Sequence, residues 1–375
     1  MKTILVMSFT NLASDPRVNR QIRWLAGRYR VIAVGTADPQ VGGVEFIPCH
    51  LSYNPMLRKV LNVARLILRR FEAYYWSAAH VGEILERLRD LRVDAVVAND
   101  IESLPLALRV ARGAKVIFDA HEYAPGEFED RLGWRLLIKP YRHYLCRTYL
   151  GRAAAMITVA QGIAEEYQRV FGVSPMVVTN TPEGTPLAPQ AVAVDRIRMI
   201  HHGVASPSRK LENMIHMMEH LDARFELDFM LVPTLPSYIA HLQKLASGNP
   251  RIRFIPPVPM REIVPAIASY DIGLFLLEPT NFNYRMALPN KLFEFLQAGL
   301  AVAIGPSPEM ARIVDGYGLG VVAPDFAPES LASLLRQLDA PRIEALKARA
   351  HAAAHELSAE KNRETFRQLV QQVVG

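Results

Sequence analysis

The sequence predicts an α/β fold made of two doubly wound, Rossmann-like domains. Three observations carry that expectation. Short apolar runs alternate with longer segments of helical period, the alternation runs through twice, and an aperiodic stretch rich in Pro and Ala separates the two passes. With 375 residues, the chain is about two and a half times a usual single-domain length.

In the first pass the expected strands are Thr3–Ser8, Val31–Gly35, Val44–Pro48, Ala95–Asn99, Val116–Asp119, Met156–Val159 and Met176–Thr179. Most are Val/Ile-rich without polar alternation, the composition of parallel strands buried on both faces. Helices are expected over Pro16–Ala26, Met56–Asp90, Leu104–Ala111, Trp134–Leu150 and Gly162–Phe171. The second pass offers strands at Arg198–His202, Leu227–Val232, Ile252–Ile255, Ile272–Leu277, Ala301–Ile304 and Gly320–Val322. Its helices fit Lys210–His220, Ser237–Ala246, Arg261–Ala268, Pro289–Gln297, Pro308–Val314 and Pro328–Leu338. EGTPLAPQAVAVD, Glu183–Asp195, has no period and reads as the linker. The domains are thus expected at 1–182 and 196–358, with a helix over 359–375 that packs back on the first. Two such domains put the expected ligand site in a cleft between them, at the carboxyl ends of both sheets.

Composition excludes several classes. Half the residues are hydrophobic and 21% charged, so the bulk of the chain is not disordered. Cys49 and Cys146 are too few for a disulfide framework and sit in apolar surroundings, as in a reducing compartment. MKTILVMSFTN lacks a cleavage site and reads as a strand, and no apolar run approaches the ~18 residues of a membrane span. A cytoplasmic protein, peripheral on the inner face of the cell membrane, is the expectation. The net charge of +6 lies wholly in residues 1–190, where 24 Lys and Arg face 18 Asp and Glu. Residues 191–375 hold 19 of each, so the first half is the one suited to an anionic partner.

The strongest local signal is Pro289-Asn-Lys-Leu-Phe-Glu294-Phe-Leu-Gln-Ala-Gly299. Proline at a helix start and glycine at its end delimit a short helix. Free N–H groups at Asn290 and Lys291 suit a pyrophosphate, and Glu294, one turn on, suits two ribose hydroxyls. An ordinary amphipathic helix with a solvated Lys–Glu pair fits the pattern equally well. Upstream, His202-Gly203-Val-Ala-Ser206-Pro-Ser-Arg209-Lys210 combines a glycine at a strand end with two cations, a way of holding a diphosphate; a solvated surface pair is the plainer reading.

In the first half, Asp119-Ala-His121-Glu122 ends a strand, and His121 there suits a sugar hydroxyl or charge near a reacting bond. Asp100, after Asn99, is either a site residue or the cap of the next helix. Asn11, Asp15 and Arg17 lie in the loop after the first strand, where Ser14 and Asp15 before Pro16 read first as a helix cap and second as acceptor recognition. No GxGxxG, P-loop or HExxH occurs, and no close His/Cys pair offers a metal site.

Taken together, these segments resemble the glycosyltransferases of the two-Rossmann GT-B type, specifically the large retaining family numbered four. The resemblance runs through the SDPRV loop, FDAHE, ITVAQGIAEEY, HHG…RKLENMI and, most specifically, PNKLFEFLQAGLAVA, and covers nearly the whole chain. It implies that Glu294 binds the ribose of a UDP- or GDP-linked sugar donor. Arg209 or Lys210, with Lys291 and nearby amides, would hold the diphosphate, and His121 would contact the transferred sugar. It also implies a metal-independent reaction, with the nucleotide-sugar as substrate and no cofactor. One departure stands out: the family's first glutamate, eight positions before the second, is Met286 here.

MLRKVLNVARLILRRF, Met56–Phe71, sets Leu57, Val60, Leu61, Ala64, Ile67, Leu68 and Phe71 on one helical face and Arg58, Lys59, Arg65, Arg69 and Arg70 on the other. Arg131–Arg152 carries six Lys and Arg, no acid, and Trp134, Tyr141, Tyr144 and Tyr149. Both suit an anionic membrane surface, against the plainer reading that the apolar faces cover the sheet. The functional expectation is a retaining transferase acting on a glycan, lipid-linked acceptor in cell-surface polysaccharide synthesis. A nucleotide-sugar 2-epimerase and a non-catalytic sugar- or nucleotide-binding protein, the latter motivated by Met286, are the alternatives. Nucleic acid fits the pI near 9.3 but not the aromatics, which lie on helices rather than on a strand platform.

Overall fold

The computed structural model describes residues 1–51, 56–184 and 186–375; Ser52–Pro55 and Thr185, part of the expected linker, lie outside the described residues. The chain divides into two units. The first comprises Met1–Thr179, Asn281–Asn283 and Asn362–Gly375, the second Asn180–Thr280 and Tyr284–Lys361. Among the described residues the strands form two sheets, of seven and six strands, and every pairing is parallel.

The first sheet contains β1 (Thr3–Met7), β2 (Arg30–Gly35), β3 (Val44–Pro48), β4 (Ala95–Asn99), β5 (Lys115–Ala120), β6 (Ala155–Thr158) and β7 (Met176–Val177). Their order is β3-β2-β1-β4-β5-β6-β7. The apolar runs of β1 and β4 are buried throughout, as strands covered by helices on both faces must be. Ile4, Val6, Ile22, Val97 and Ile117 lie in this core, joined by Phe366 and Val370 of the Ala359–Val374 helix.

The second sheet contains β8 (Ile197–Ala205), β9 (Phe225–Pro233), β10 (Ile252–Ile255), β11 (Ile272–Phe275), β12 (Ala301–Ile304) and β13 (Gly320–Val322), in the order β10-β9-β8-β11-β12-β13. The strand order reverses between β1 and β4 in one sheet and between β8 and β11 in the other. In doubly wound folds these are the places where ligands bind.

Several elements differ from the sequence expectation. The single helix expected over Met56–Asp90 is three, Met56–Ile67, Phe71–Trp76 and Ala79–Arg87. The first break falls at Arg69, whose φ of 53° no helix tolerates, and the chain then buries Phe71. The strand expected at Met176–Thr179 is only Met176–Val177. The helix expected over Trp134–Leu150 opens with a π turn, Trp134–Ile138, before Lys139–Tyr149. The strand expected to end at His202 runs on to Ala205, so Gly203 lies inside β8 and not after it.

Candidate functional site

In the second unit, β8 pairs with β11 only through Met199 and Ile200, while its whole length pairs with β9. Beyond Ile200 the two central strands separate, and the start of the Asn290–Gln297 helix comes against the gap. Pro289 takes the position before the helix, with φ −78° and ψ 155°, so Asn290 rather than proline is its first residue. Lys291 and Glu294 are both buried, which removes the solvated-pair reading of this helix. The Lys291 ammonium lies 3.9 Å from the Phe275 ring centre and 3.5 Å from His201 Nε2. Burial first, and Arg209 second, hold its pKa well below the ordinary lysine value.

Gly203, at φ 126°, adopts backbone that side chains avoid. A Cβ there would lie 3.2 Å from Lys291 Nζ and 3.6 Å from Arg209 Nη1. Two cations thus converge on a bare stretch of backbone at the strand-order reversal. Arg209 otherwise donates to the Val204 carbonyl at 3.1 Å. Lys210 is different: it sits in left-handed backbone, and its ammonium is held 2.6 Å from Glu278. Of the two cations at this turn, the fold brings Arg209 to Gly203 and ties Lys210 to the acid upstream of Met286.

His201 and His202 flank the same point. His201 Nδ1 hydrogen-bonds the Leu274 carbonyl at 2.9 Å, and burial and Lys291 push its pKa well down. His202 Nε2 lies 3.4 Å from Glu294 Oε2 but is buried without a hydrogen-bond partner among the described residues. Its pKa is pushed down to about 3 by burial, so the ring is neutral. Neighbours on a strand point to opposite faces, so in the sequence only their adjacency to Gly203 signals this pair.

In the first unit, a cavity of about 410 Å³ opens at the β1/β4 reversal. It is walled by Thr10 after β1, Asp100 and Glu102 after β4, and His121 and Glu122 after β5. His121 Nε2 is 3.1 Å from Asn99 Oδ1, and Nδ1 is 3.4 Å from Asp100 Oδ2. Asp100 does not cap the next helix: that helix begins at Leu104 after Ser103, and Asp100 stands at φ 62° beside His121. Arg142 donates to Glu102 at 2.6 Å and pairs with Glu127 at 3.0 Å. Burial raises Asp100, brings Glu102 to about 7 and, with Glu127 close by, lifts Glu122 well above the carboxylate range. Glu102, Glu122, Glu127 and Arg142 carried no sequence signal, because three separate segments bring them together.

The remaining candidates lie in the loop after β1 and at the start of the helix that follows it. Asp15 accepts from the backbone N–H of Arg17 and Val18, each at 3.1 Å, and so caps Pro16–Leu25. Asn11 Oδ1 accepts from Ala13 N at 3.0 Å, closing an exposed turn. Arg17, expected at the acceptor, is buried: it donates to both Asp119 oxygens, at 2.6 and 2.7 Å, and to the Val178 carbonyl at 2.7 Å. With Asp119 fully buried, this guanidinium serves the core of the unit.

The Met56–Ile67 helix turns Val60, Leu61, Val63 and Ile67 outward, and Leu68 follows; Leu132 and Leu136 are exposed as well. Its apolar side chains do not cover the sheet as a whole. Exposed Arg58, Lys59, Arg69, Arg70, Arg131 and Arg135 lie among them. Cys49 and Cys146 are buried free thiols, and burial pushes Cys49 up to about 11.

Residues 17–188 match the family described as Glycosyltransferase Family 4. The match covers a little under half of the chain. Comparison with curated proteins gave no match. Among solved structures, the chain resembles HepE of Anabaena in complex with UDP and glucose, at 12% identity and TM-score 0.73, over 99% of this chain and 100% of that one. It also resembles sucrose-phosphate synthase of Thermosynechococcus elongatus, at 14% identity and TM-score 0.74, over 100% and 99% of the two chains. WaaG, a glycosyltransferase involved in lipopolysaccharide biosynthesis, follows at 14% identity and TM-score 0.60, over 94% and 95%. These likenesses establish the GT-B fold. No helix among the described residues is long and apolar enough to cross a membrane.

Proposed function

We propose that the enzyme transfers a sugar from a UDP- or GDP-linked donor, with retention at the anomeric carbon, to a lipid-linked glycan in cell-surface polysaccharide synthesis. The observation that carries the donor half is Lys291, a buried ammonium beside Arg209 at a backbone position with no side chain. A buried cation next to a second cation is costly alone and becomes favourable once an anion arrives. A diphosphate fits that requirement, and the N–H groups that open the Asn290–Gln297 helix add to it. Glu294, one turn on, is the acceptor for ribose hydroxyls. HepE with bound UDP and glucose, a structural neighbour, supports this class of donor.

In the reaction the bond between the anomeric carbon and the diphosphate oxygen breaks, the acceptor hydroxyl attacks from the face the diphosphate leaves, and the hydroxyl proton passes to the departing diphosphate oxygen. Lys291 and Arg209 stabilise the charge that develops on the departing oxygen. His121 is the group proposed to meet the transferred sugar, and Asp100 lies on the acceptor side. No metal is required in this scheme, since the cations do that work. The exposed apolar and basic side chains around Met56–Ile67 and Leu132–Leu136 are proposed to rest on an anionic membrane.

A thermal-shift screen against UDP, GDP, ADP and CMP, with and without EDTA, tests the donor half. One nucleoside diphosphate should shift the transition equally in both conditions. Absence of any shift would defeat the reading. Co-sedimentation with phosphatidylglycerol vesicles, strong at low salt and lost with phosphatidylcholine, tests the membrane half.

A further inference from the structure

The cavity at His121 is not alone in the first unit. A second, of about 300 Å³, is lined by Asn62, Tyr74, Tyr75, Ala78, Ile138 and Tyr141, among others. His80, Glu102 and Arg142 line both cavities, so one layer of side chains divides them. Asn62 belongs to the Met56–Ile67 helix and Ile138 to the Trp134–Ile138 turn. These elements carry or adjoin the exposed apolar side chains, so the second cavity begins where the surface is greasiest.

The dividing layer is polar. It is an ion pair, Arg142 with Glu102, rather than packed hydrocarbon, and burial already lifts Glu102 to about 7. Arg142 Nε is buried without a hydrogen-bond partner among the described residues. Around His121, Asp100, Glu102, Glu122 and Glu127 face the single guanidinium of Arg142. That surplus of carboxyls disfavours an anionic group and suits the hydroxyls of an uncharged sugar. Outside, the exposed arginines suit a phosphate.

We infer that the acceptor is an uncharged sugar carried on a lipid phosphate, and that it reaches His121 from the apolar face through the second cavity, past the Arg142–Glu102 pair. The phosphate stays outside with the surface arginines, and the tyrosine-lined cavity holds the segment between. This rests on the transferase reading and extends it to a substrate class and a route.

The probes are glucose and n-hexyl, n-octyl and n-decyl β-glucosides below their critical micelle concentrations, with binding to the full-length protein followed calorimetrically. Each two added methylenes should tighten binding by about tenfold. Ala78→Trp, which fills the second cavity, should abolish that dependence, and Ala79→Trp provides the same test should the first variant fold poorly. Leu61→Ser, on the outer face, should retain it, which separates cavity binding from adhesion to the surface. A dependence that survives both tryptophan variants overturns the inference, as does wild-type protein that binds every glucoside no better than glucose. A UDP or GDP thermal shift in the same variants reports the donor site separately. If that shift persists while the glucoside result fails, the route falls and the transferase reading stands; if the shift alone is missing, the donor reading falls.

Discussion

Lys291→Met removes the charge at the proposed diphosphate site while keeping most of the side chain's length and apolar volume. A phosphate oxygen placed in the space at Gly203 would lie within hydrogen-bonding reach of the ammonium, which stands 3.2 Å from the missing Cβ position. At about 4 Å and an effective dielectric near 20, the Coulomb attraction is about 4 kcal/mol, and a charged hydrogen bond nets about 1.5–3 kcal/mol. Taking about 2.7 kcal/mol, the dissociation constant rises about 100-fold. At a ligand concentration of about 100 times the wild-type constant, stabilisation then falls from about 2.7 to about 0.4 kcal/mol. The unliganded protein should respond in the opposite sense. Because the folded pKa of Lys291 is depressed, the charged lysine opposes folding at neutral pH, a penalty that fades as pH rises toward its unfolded value. Lys291→Met removes that penalty, so its own melting temperature should be equal to or above wild type. Differential scanning fluorimetry with and without the diphosphate reads both effects. A variant that keeps the full ligand shift, or that melts well below wild type, would refute the reasoning.

Other outcomes follow from the same geometry. Gly203→Val forces a side chain onto Lys291 Nζ in backbone of positive φ, and should abolish diphosphate binding in a titration while the first unit still melts normally. Arg17→Ala leaves the buried Asp119 without its guanidinium partner, with Gln21 as its remaining donor, and should cost about 3 kcal/mol in urea unfolding. Arg17→Met with Asp119→Leu should recover much of that loss, whereas an acceptor-binding arginine would show no such recovery. His202, with its folded pKa near 3 against an unfolded value near 6.5, binds a proton more readily when unfolded. Stability should therefore fall as pH drops from about 6.5 toward 3, and His202→Asn should flatten that limb of the acid denaturation curve.

The fold was legible because its carriers are local. Val/Ile runs such as those of β1 and β4 can be buried on both faces only in a parallel sheet, and their alternation with helical segments leaves few topologies. Gly203, Arg209, Lys291 and Glu294 were legible for a similar reason, since glycine at a strand end and a helix start with Lys and Glu one turn apart are short patterns. The buried pair of Arg17 was not legible, because its partner, Asp119, is 102 positions away and burial is something a loop motif does not encode. Lys210 and Arg209 are neighbours with the same charge. Only the left-handed turn at Lys210 and the position of Glu278 separate them. The break at Arg69 was equally hidden, for nothing in the period of Met56–Asp90 announces one residue of positive φ.

The Ala359–Val374 helix has a consequence for synthesis on the ribosome. Phe366 and Val370 fill the core of the first unit beside Ile4, Val6 and Trp24, while the second unit is complete in sequence by Lys361. As the chain emerges, the second unit can close its core before the first has received its last helix, so the part made first finishes last. A nascent chain stalled with its final fifteen or so residues still inside the tunnel should resist protease across the second unit and remain cleavable within the first. Until then, the apolar bed awaiting Phe366 is open to solvent and is the surface on which a chaperone would act.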